Sequence, residues 1–401
     1  MSSWEKDIDI NQVVEIRTKT TNYLGVGAIN KINDIAAILK NMGISKVIVV
    51  TGKAAFKTTG AWDYVTKACE TNNISYTLYN GVTPNPTVQQ VDAATKQALD
   101  FGATAVLSIG GGSPIDAAKS VAILMAYPDK TCTDLYEFKF TPEKAVPIVT
   151  INLTHGTGTE VDRFAVVSIP EKEYKPAIAY DVIYPLYSID DPALMTGLPA
   201  DQTVFVSVDA INHVVEACTT IVTSPYSIMM GKETVRLIAK YLPLAKANPK
   251  DLTARYYLTY ASMIAGICFD NGLLHYTHAL EHPLSGVKPE LAHGNGLAQI
   301  LPAVLRQIYP ASSRILADVL SAIVPGLQGV PEETEKVCAG VKNWLTEMGI
   351  VMSLSALGFT EKDLDKLTDL AFETPSLDLL LSLAPVKATK EIVRKIYADS
   401  Y

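Results

Sequence analysis

Ala105-Val106-Leu107-Ser108-Ile109-Gly110-Gly111-Gly112-Ser113-Pro114-Ile115-Asp116-Ala117-Ala118-Lys119 is the stretch that decides the fold of this 401-residue chain. An apolar run passes directly into three glycines and then into a helical start. Consecutive glycines let a backbone approach a phosphate closely and leave its N–H donors unobstructed. Ser113 is placed as the helix N-cap, Pro114 at the first helical position, and Asp116 at the third, where a carboxylate reaches back to the cap. The loop therefore ends at a helix N-terminus whose dipole favours an anion. Gly110, Gly111, Gly112, Ser113 and Asp116 are candidate residues for a pyrophosphate. The motif is neither G-x-G-x-x-G nor a Walker loop, and a tight turn alone does not call for three glycines.

Outward from this loop, the first half alternates short strand-like runs with helical stretches. Val47 to Val50, Ser75 to Leu78, Ala105 to Ile109 and Pro147 to Ile151 read as strands, and Thr87 to Phe101 and Ile115 to Met125 as helices. That rhythm predicts a parallel sheet covered by helices on both faces. Phe164 to Ser168 and Ala177 to Tyr180, flanking a charged turn, predict a hairpin outside the main sheet. From about Leu198 strand signals fade, with breaks expected near Ser224-Pro225, Asn248-Pro249, Pro310 and 325–329. The expected architecture is a Rossmann-like α/β domain over 1–197 and an all-helical domain over 198–401.

Composition narrows the function classes. The hydrophobic fraction is 48%, the charged fraction 19% and the net charge −8, with no basic stripe, which argues against nucleic acid as a partner. No run is long and apolar enough for a transmembrane helix, and the first residues carry charges where a signal peptide needs an apolar stretch. Five scattered cysteines read as reduced thiols of a cytoplasmic protein.

Four of the six histidines, His275, His278, His282 and His293, fall close together, and His213 follows Asp209 by four positions. On a helix, Asp209 and His213 share a face, as do His278 and His282. A lone histidine is ordinarily a core residue, but a carboxylate and several imidazoles converging on one point suit a divalent transition metal.

The glycine loop, the segment Thr154-His155-Gly156-Thr157-Gly158-Thr159-Glu160, Asp209/His213, and His278-x-x-x-His282-Pro283 followed by His293-Gly294 together resemble the iron-containing, metal-dependent alcohol dehydrogenase family. The resemblance implies that Asp209, His213, His278 and His293 hold Fe2+, with Zn2+ as the alternative, and that His282 carries a proton. It implies that Gly111, Gly112 and Ser113 hold the cofactor pyrophosphate and that Thr154, Thr157 and Lys175 contact the cofactor. Phe269 falls where the family places an aromatic beside the substrate. His275 matches no family position; three residues before His278 it shares roughly the same helix face and is expected to line the cleft, with a structural role as the alternative. NAD-preferring relatives carry an aspartate at the position of Gly52. Glycine there, with Lys53 beside it, favours NADP over NAD.

The expected activity is hydride transfer between a small primary alcohol or its aldehyde and NADP(H), in a homo-oligomer of two or more subunits. A glycerol or polyol dehydrogenase, a dehydroquinate-synthase-like enzyme, and a non-catalytic sensor of NADP or metal are the alternatives.

Overall fold

The computed structural model describes Trp4 and residues 16–401, so the first residues of the expected N-terminal domain lie outside it. The chain forms two compact units. One comprises Thr18–Leu198 with Pro249–Met263; the other comprises Pro199–Asn248 and Ile264–Tyr401, with the described residues up to Arg17. These are not the contiguous halves expected from the sequence. Residues 249–263 belong with the sheet because the fully buried Arg255 satisfies its guanidinium there. It donates to the Pro249 carbonyl at 3.0 Å and bonds to His155 Nε2 at 2.8 Å.

Eight strands are present among the described residues: β1 (Thr21–Leu24), β2 (Lys46–Gly52), β3 (Ser75–Val82), β4 (Ala105–Gly110), β5 (Ile148–Asn152), β6 (Phe164–Val166), β7 (Ala177–Ala179) and β8 (Tyr187–Asp190). Six of them form a parallel sheet in the order β1-β8-β5-β4-β2-β3, and β6 and β7 form the separate antiparallel hairpin that the sequence predicted. The unbroken Val47–Val50 run follows from burial on both faces. Val47 and Val49 pack into one core with the helices Lys31–Asn41 and Ala61–Thr71. Ile48 and Val50 pack into another with Val88–Phe101 and Gly112–Ala126. The expected helix after Thr87 is closed by a capping box between Thr87 and Gln90 and stopped by Gly102 at φ 77°.

Strands β1 and β8 escape the sequence reading. Each has four residues, and β8 buries Ser188 and Asp190 beside its apolar positions. The Asp190 carboxylate accepts from Asn22 Nδ2 at 2.7 Å and Asn152 Nδ2 at 2.9 Å. Such buried polar residues, satisfied only by partners remote in sequence, blur the alternation that marks a strand.

The topology places three loops together at the carboxyl edge of the sheet, since β5, β4 and β2 are neighbours. From β2 the chain continues to helices on one face of the sheet, and from β4 to the helix Gly112–Ala126 on the other. The β2/β4 junction is thus a topological switch point, where connections diverge and leave a crevice in open α/β sheets.

All the secondary-structure elements described in the second unit are helices. Ser224 caps the helix Pro225–Ala247. The expected break at Pro310 is instead a kink at Ser312 within His293–Val319. No described helix is long and apolar enough to cross a membrane.

Candidate metal centre and cofactor loop

Asp209 and His213 lie one turn apart on the helix Ala200–Ala217, and His278 and His282 one turn apart on Tyr276–Val287. His293 is the first residue of His293–Val319. Its approach depends on Gly294: a Cβ there would lie 1.9 Å from the carbonyl oxygen of Phe205, so only glycine lets this helix end meet the turn before Asp209.

The donors converge. Asp209 Oδ1 lies 3.4 Å from His213 Nε2, 3.5 Å from His278 Nε2 and 3.8 Å from His293 Nε2. Ligands around a four-coordinate ion at about 2.1 Å sit roughly 3.4 Å apart, and Asp209, His278 and His293 are mutually close enough to share one small cation, with His213 beside Asp209. Asp209 Oδ1 and His278 Nε2 are buried and make no hydrogen bond, although burying a bare polar atom is costly. Burial alone would raise the Asp209 carboxyl, but His213, His278 and His293 hold it below its usual range. An oxygen and nitrogen donor set of this kind is that of iron or zinc.

Two carboxylates that the sequence reading missed stand behind the imidazoles. His278 Nδ1 hydrogen-bonds to Glu216, and His293 Nδ1 to Glu281. Glu216 also accepts the backbone N–H groups of Thr277 and, at 3.2 Å each, His275 and His278. Against the cost of its burial, His278 holds the Glu216 carboxyl down at about 2; against the same cost, Glu216 and Asp209 push His278 up to about 9. The available signal was positional: Glu216 extends the Asp209/His213 stripe by one turn, and Glu281 follows His278 by three residues.

His282 is buried and is grouped with Glu281 and His293 rather than with Asp209. Phe269 stacks on the His213 ring at 4.4 Å between centroids, and His213 on His278 at 4.7 Å. His275 departs from expectation. It is fully buried at the N-cap of its helix, its Nδ1 accepting from the Tyr276 N–H at 2.6 Å and its Nε2 bonded to the Thr219 hydroxyl at 2.8 Å. With both ring nitrogens engaged, it caps a helix and does not line a pocket.

In the sheet unit, the glycine loop differs from expectation at its cap. The helix begins at Gly112 with Gly111 as N-cap, so its third position is Pro114 and not Asp116. Ser113 is therefore inside the helix. Asp116, a turn further in, accepts from the Thr159 hydroxyl at 2.7 Å and the Val166 N–H at 3.0 Å. Burial raises its carboxyl to about 6, opposed by Lys119, Thr159, Val166 and Lys175. Lys119 is fully buried and bonds Thr159 and Asp162, tying the helix to the segment after β5.

The glycines are required by what sits above them. A Cβ at Gly111 would lie 2.7 Å from the Thr154 side chain, and one at Gly112 2.7 Å from that of Thr157. The glycine loop after β4 and the threonine segment after β5 thus come together. Gly52 ends β2 where its register with β3 shifts, and Lys53 beside it is exposed. Lys175 is buried rather than a solvated hairpin charge.

Sequence models of two families match: iron-containing alcohol dehydrogenase over residues 20–192, and the C-terminal domain of the Fe-containing alcohol dehydrogenase family over residues 203–401. The chain is 60% identical over 398 residues to a long-chain primary alcohol dehydrogenase of Thermoanaerobacter ethanolicus, covering 99% of this chain and 100% of that protein. It is 31% identical to a 1,3-propanediol dehydrogenase of Klebsiella pneumoniae, over 88% of this chain and 90% of that one. Among solved structures, the NADH-dependent butanol dehydrogenase A of Thermotoga maritima superposes with a TM-score of 0.89 at 30% identity, over 97% of this chain and 98% of that one.

Proposed function

The chain belongs to the iron-containing alcohol dehydrogenase family, and on that footing we propose that it interconverts long-chain primary alcohols and their aldehydes with NADP(H), using an iron(II) ion held by Asp209, His213, His278 and His293. That it is an oxidoreductase acting on CH–OH groups, with iron and a nicotinamide cofactor, follows from the family. The long-chain preference rests on the Thermoanaerobacter relative, and NADP on Gly52. The observation that carries the site is the convergence of three imidazole Nε2 atoms on Asp209 Oδ1. Three imidazole Nε2 atoms within 3.8 Å of one carboxylate oxygen also speak against the polyol-dehydrogenase and dehydroquinate-synthase-like alternatives, whose metal has fewer protein ligands.

When bound, the ion supplies Lewis acidity toward an alcohol or carbonyl oxygen, and the nicotinamide supplies the two-electron chemistry. The protein's own groups do the rest. One formal negative charge from Asp209 against three neutral imidazoles leaves the centre electrophilic. His282, one turn beyond His278, takes up the proton released in oxidation and returns it in reduction. Gly111 and Gly112, at a helix N-terminus and the switch point of the sheet, hold the pyrophosphate. Thr154 and Thr157 contact the cofactor beside them, and Lys175 reaches its ribose. The five cysteines are unpaired and buried, which supports a cytoplasmic enzyme; assembly as a homo-oligomer belongs to the same proposal.

Cofactor choice is tested by Gly52→Asp. A Cβ at Gly52 would meet the Val82 carbonyl at 3.4 Å, so a side chain can start there without a backbone clash. The ratio of kcat/KM for NADP to that for NAD is expected to fall by roughly tenfold to a thousandfold. A wild-type preference for NAD overturns the NADP assignment, and an unchanged ratio removes Gly52 from the adenosine ribose.

A further inference from the structure

We propose that Glu216 and Glu281 are positioning residues of the metal centre, each holding one imidazole so that its Nε2 faces the ion; this rests on the metal-centre reading above. A neutral imidazole has one protonated and one free nitrogen, and the hydrogen bond at one decides which nitrogen can ligate. In His278 and His293 the Nδ1 side faces a carboxylate, while Nε2 lies 3.5 Å and 3.8 Å from Asp209 Oδ1. Both rings are therefore set in the ligating tautomer and orientation by the fold itself.

The two carboxylates come from different helices, each reaching forward to the next. Glu216, on the helix of Asp209 and His213, grips His278 on Tyr276–Val287. Glu281, on that helix, grips His293 at the start of His293–Val319. The same interactions thus join three helices at the ion. With Asp209 they place three carboxylates in or directly behind the donor set, two of them acting through imidazoles, which raises ligand basicity and cation affinity.

The pairs differ in how firmly they are held. Glu216 is anchored by three backbone N–H groups, whereas Glu281 takes the Ser285 hydroxyl, and the His293 side chain is 26% exposed.

The test uses metal-stripped full-length protein reloaded with Co2+. Affinity is measured by chelator competition, the visible spectrum of the bound ion is recorded, and circular dichroism of the metal-free proteins reports the fold. Glu216→Gln and Glu281→Gln keep side-chain shape and remove charge. Each is expected to bind Co2+ about tenfold to a hundredfold more weakly, with shifted visible bands and an unchanged metal-free fold. Wild-type affinity and spectrum in both variants overturn the proposal. Should Glu216→Gln fail to fold, Glu281→Gln decides alone. Wild-type protein that takes up no Co2+ overturns the metal-centre reading instead, so the two failures are distinct.

Discussion

The metal centre and the glycine loop are built by opposite means. The centre is a concentration of polar groups: a carboxylate oxygen and an imidazole nitrogen are left bare at its middle, with carboxylates behind two of the rings. The loop is an absence of side chains, in which Gly111 and Gly112 leave only the room that Thr154 and Thr157 allow. A centre made of charges is damaged by removing atoms. A loop made of space is damaged by adding them.

The largest effect is therefore expected from truncating a ligand. His278→Ala removes a donor and leaves Glu216 without its imidazole. Metal content by elemental analysis should fall to background and alcohol oxidation by roughly a thousandfold or more, since the ion supplies several kcal/mol of charge stabilisation. Full metal content in this variant would break the comparison at its first term.

His282 tests whether the centre separates binding from proton transfer. His282→Ala should retain the metal, slow turnover by about a hundredfold and alter the pH dependence of kcat. Metal loss matching that of His278→Ala would make His282 a ligand.

At the loop, one methyl group suffices. Gly111→Ala places a Cβ against Thr154 and is expected to destabilise the protein by about 1–3 kcal/mol and raise the cofactor KM. Adding Thr154→Ala removes the two nearest clashing atoms, so the double variant should regain much of the lost denaturation midpoint. Equal stability of Gly111→Ala and wild type would mean that the loop is not space-limited.

The smallest effect concerns acid stability and involves a buried histidine in each unit. Burial, reinforced by Arg255, lowers His155 to about 3, and burial lowers His275 to about 4. Both lie below the unfolded value near 6.5. The unfolded chain binds these protons first, so this stability is complete above about pH 6.5 and is lost as pH falls toward 4 and 3. His275→Asn should flatten the fall in melting temperature across that window; an unchanged slope would show that other groups carry it.

The shared helix faces of Asp209 with His213 and of His278 with His282 were legible from their spacing, and His293 from its place in the histidine cluster. The alternation of strands and helices and the glycine loop were legible for the same reason, being patterns local in sequence. Glu216 and Glu281 were legible only as carboxylates on the same helix faces, and the meeting of three helices is what aims them at Nδ1 atoms. His275 was misplaced because helical spacing from His278 was extended past the end of the helix, where His275 serves as the cap.

By itself the sequence determined the α/β and helical fold class and the family, and it marked the clustered histidines and the glycine loop. All of these follow from periodicity or motif order along a short stretch of chain. Tertiary structure alone decided that Pro249–Met263 joins the sheet unit, that β8 is an interior strand and that Asp116 anchors the hairpin rather than capping its helix. It also decided that Nε2 of His278 and His293 turns toward Asp209 while Nδ1 turns toward a glutamate. Each of these depends on where a buried polar group finds its partner, and for Asp190, Arg255, Asp116 and His278 the partners lie far along the chain.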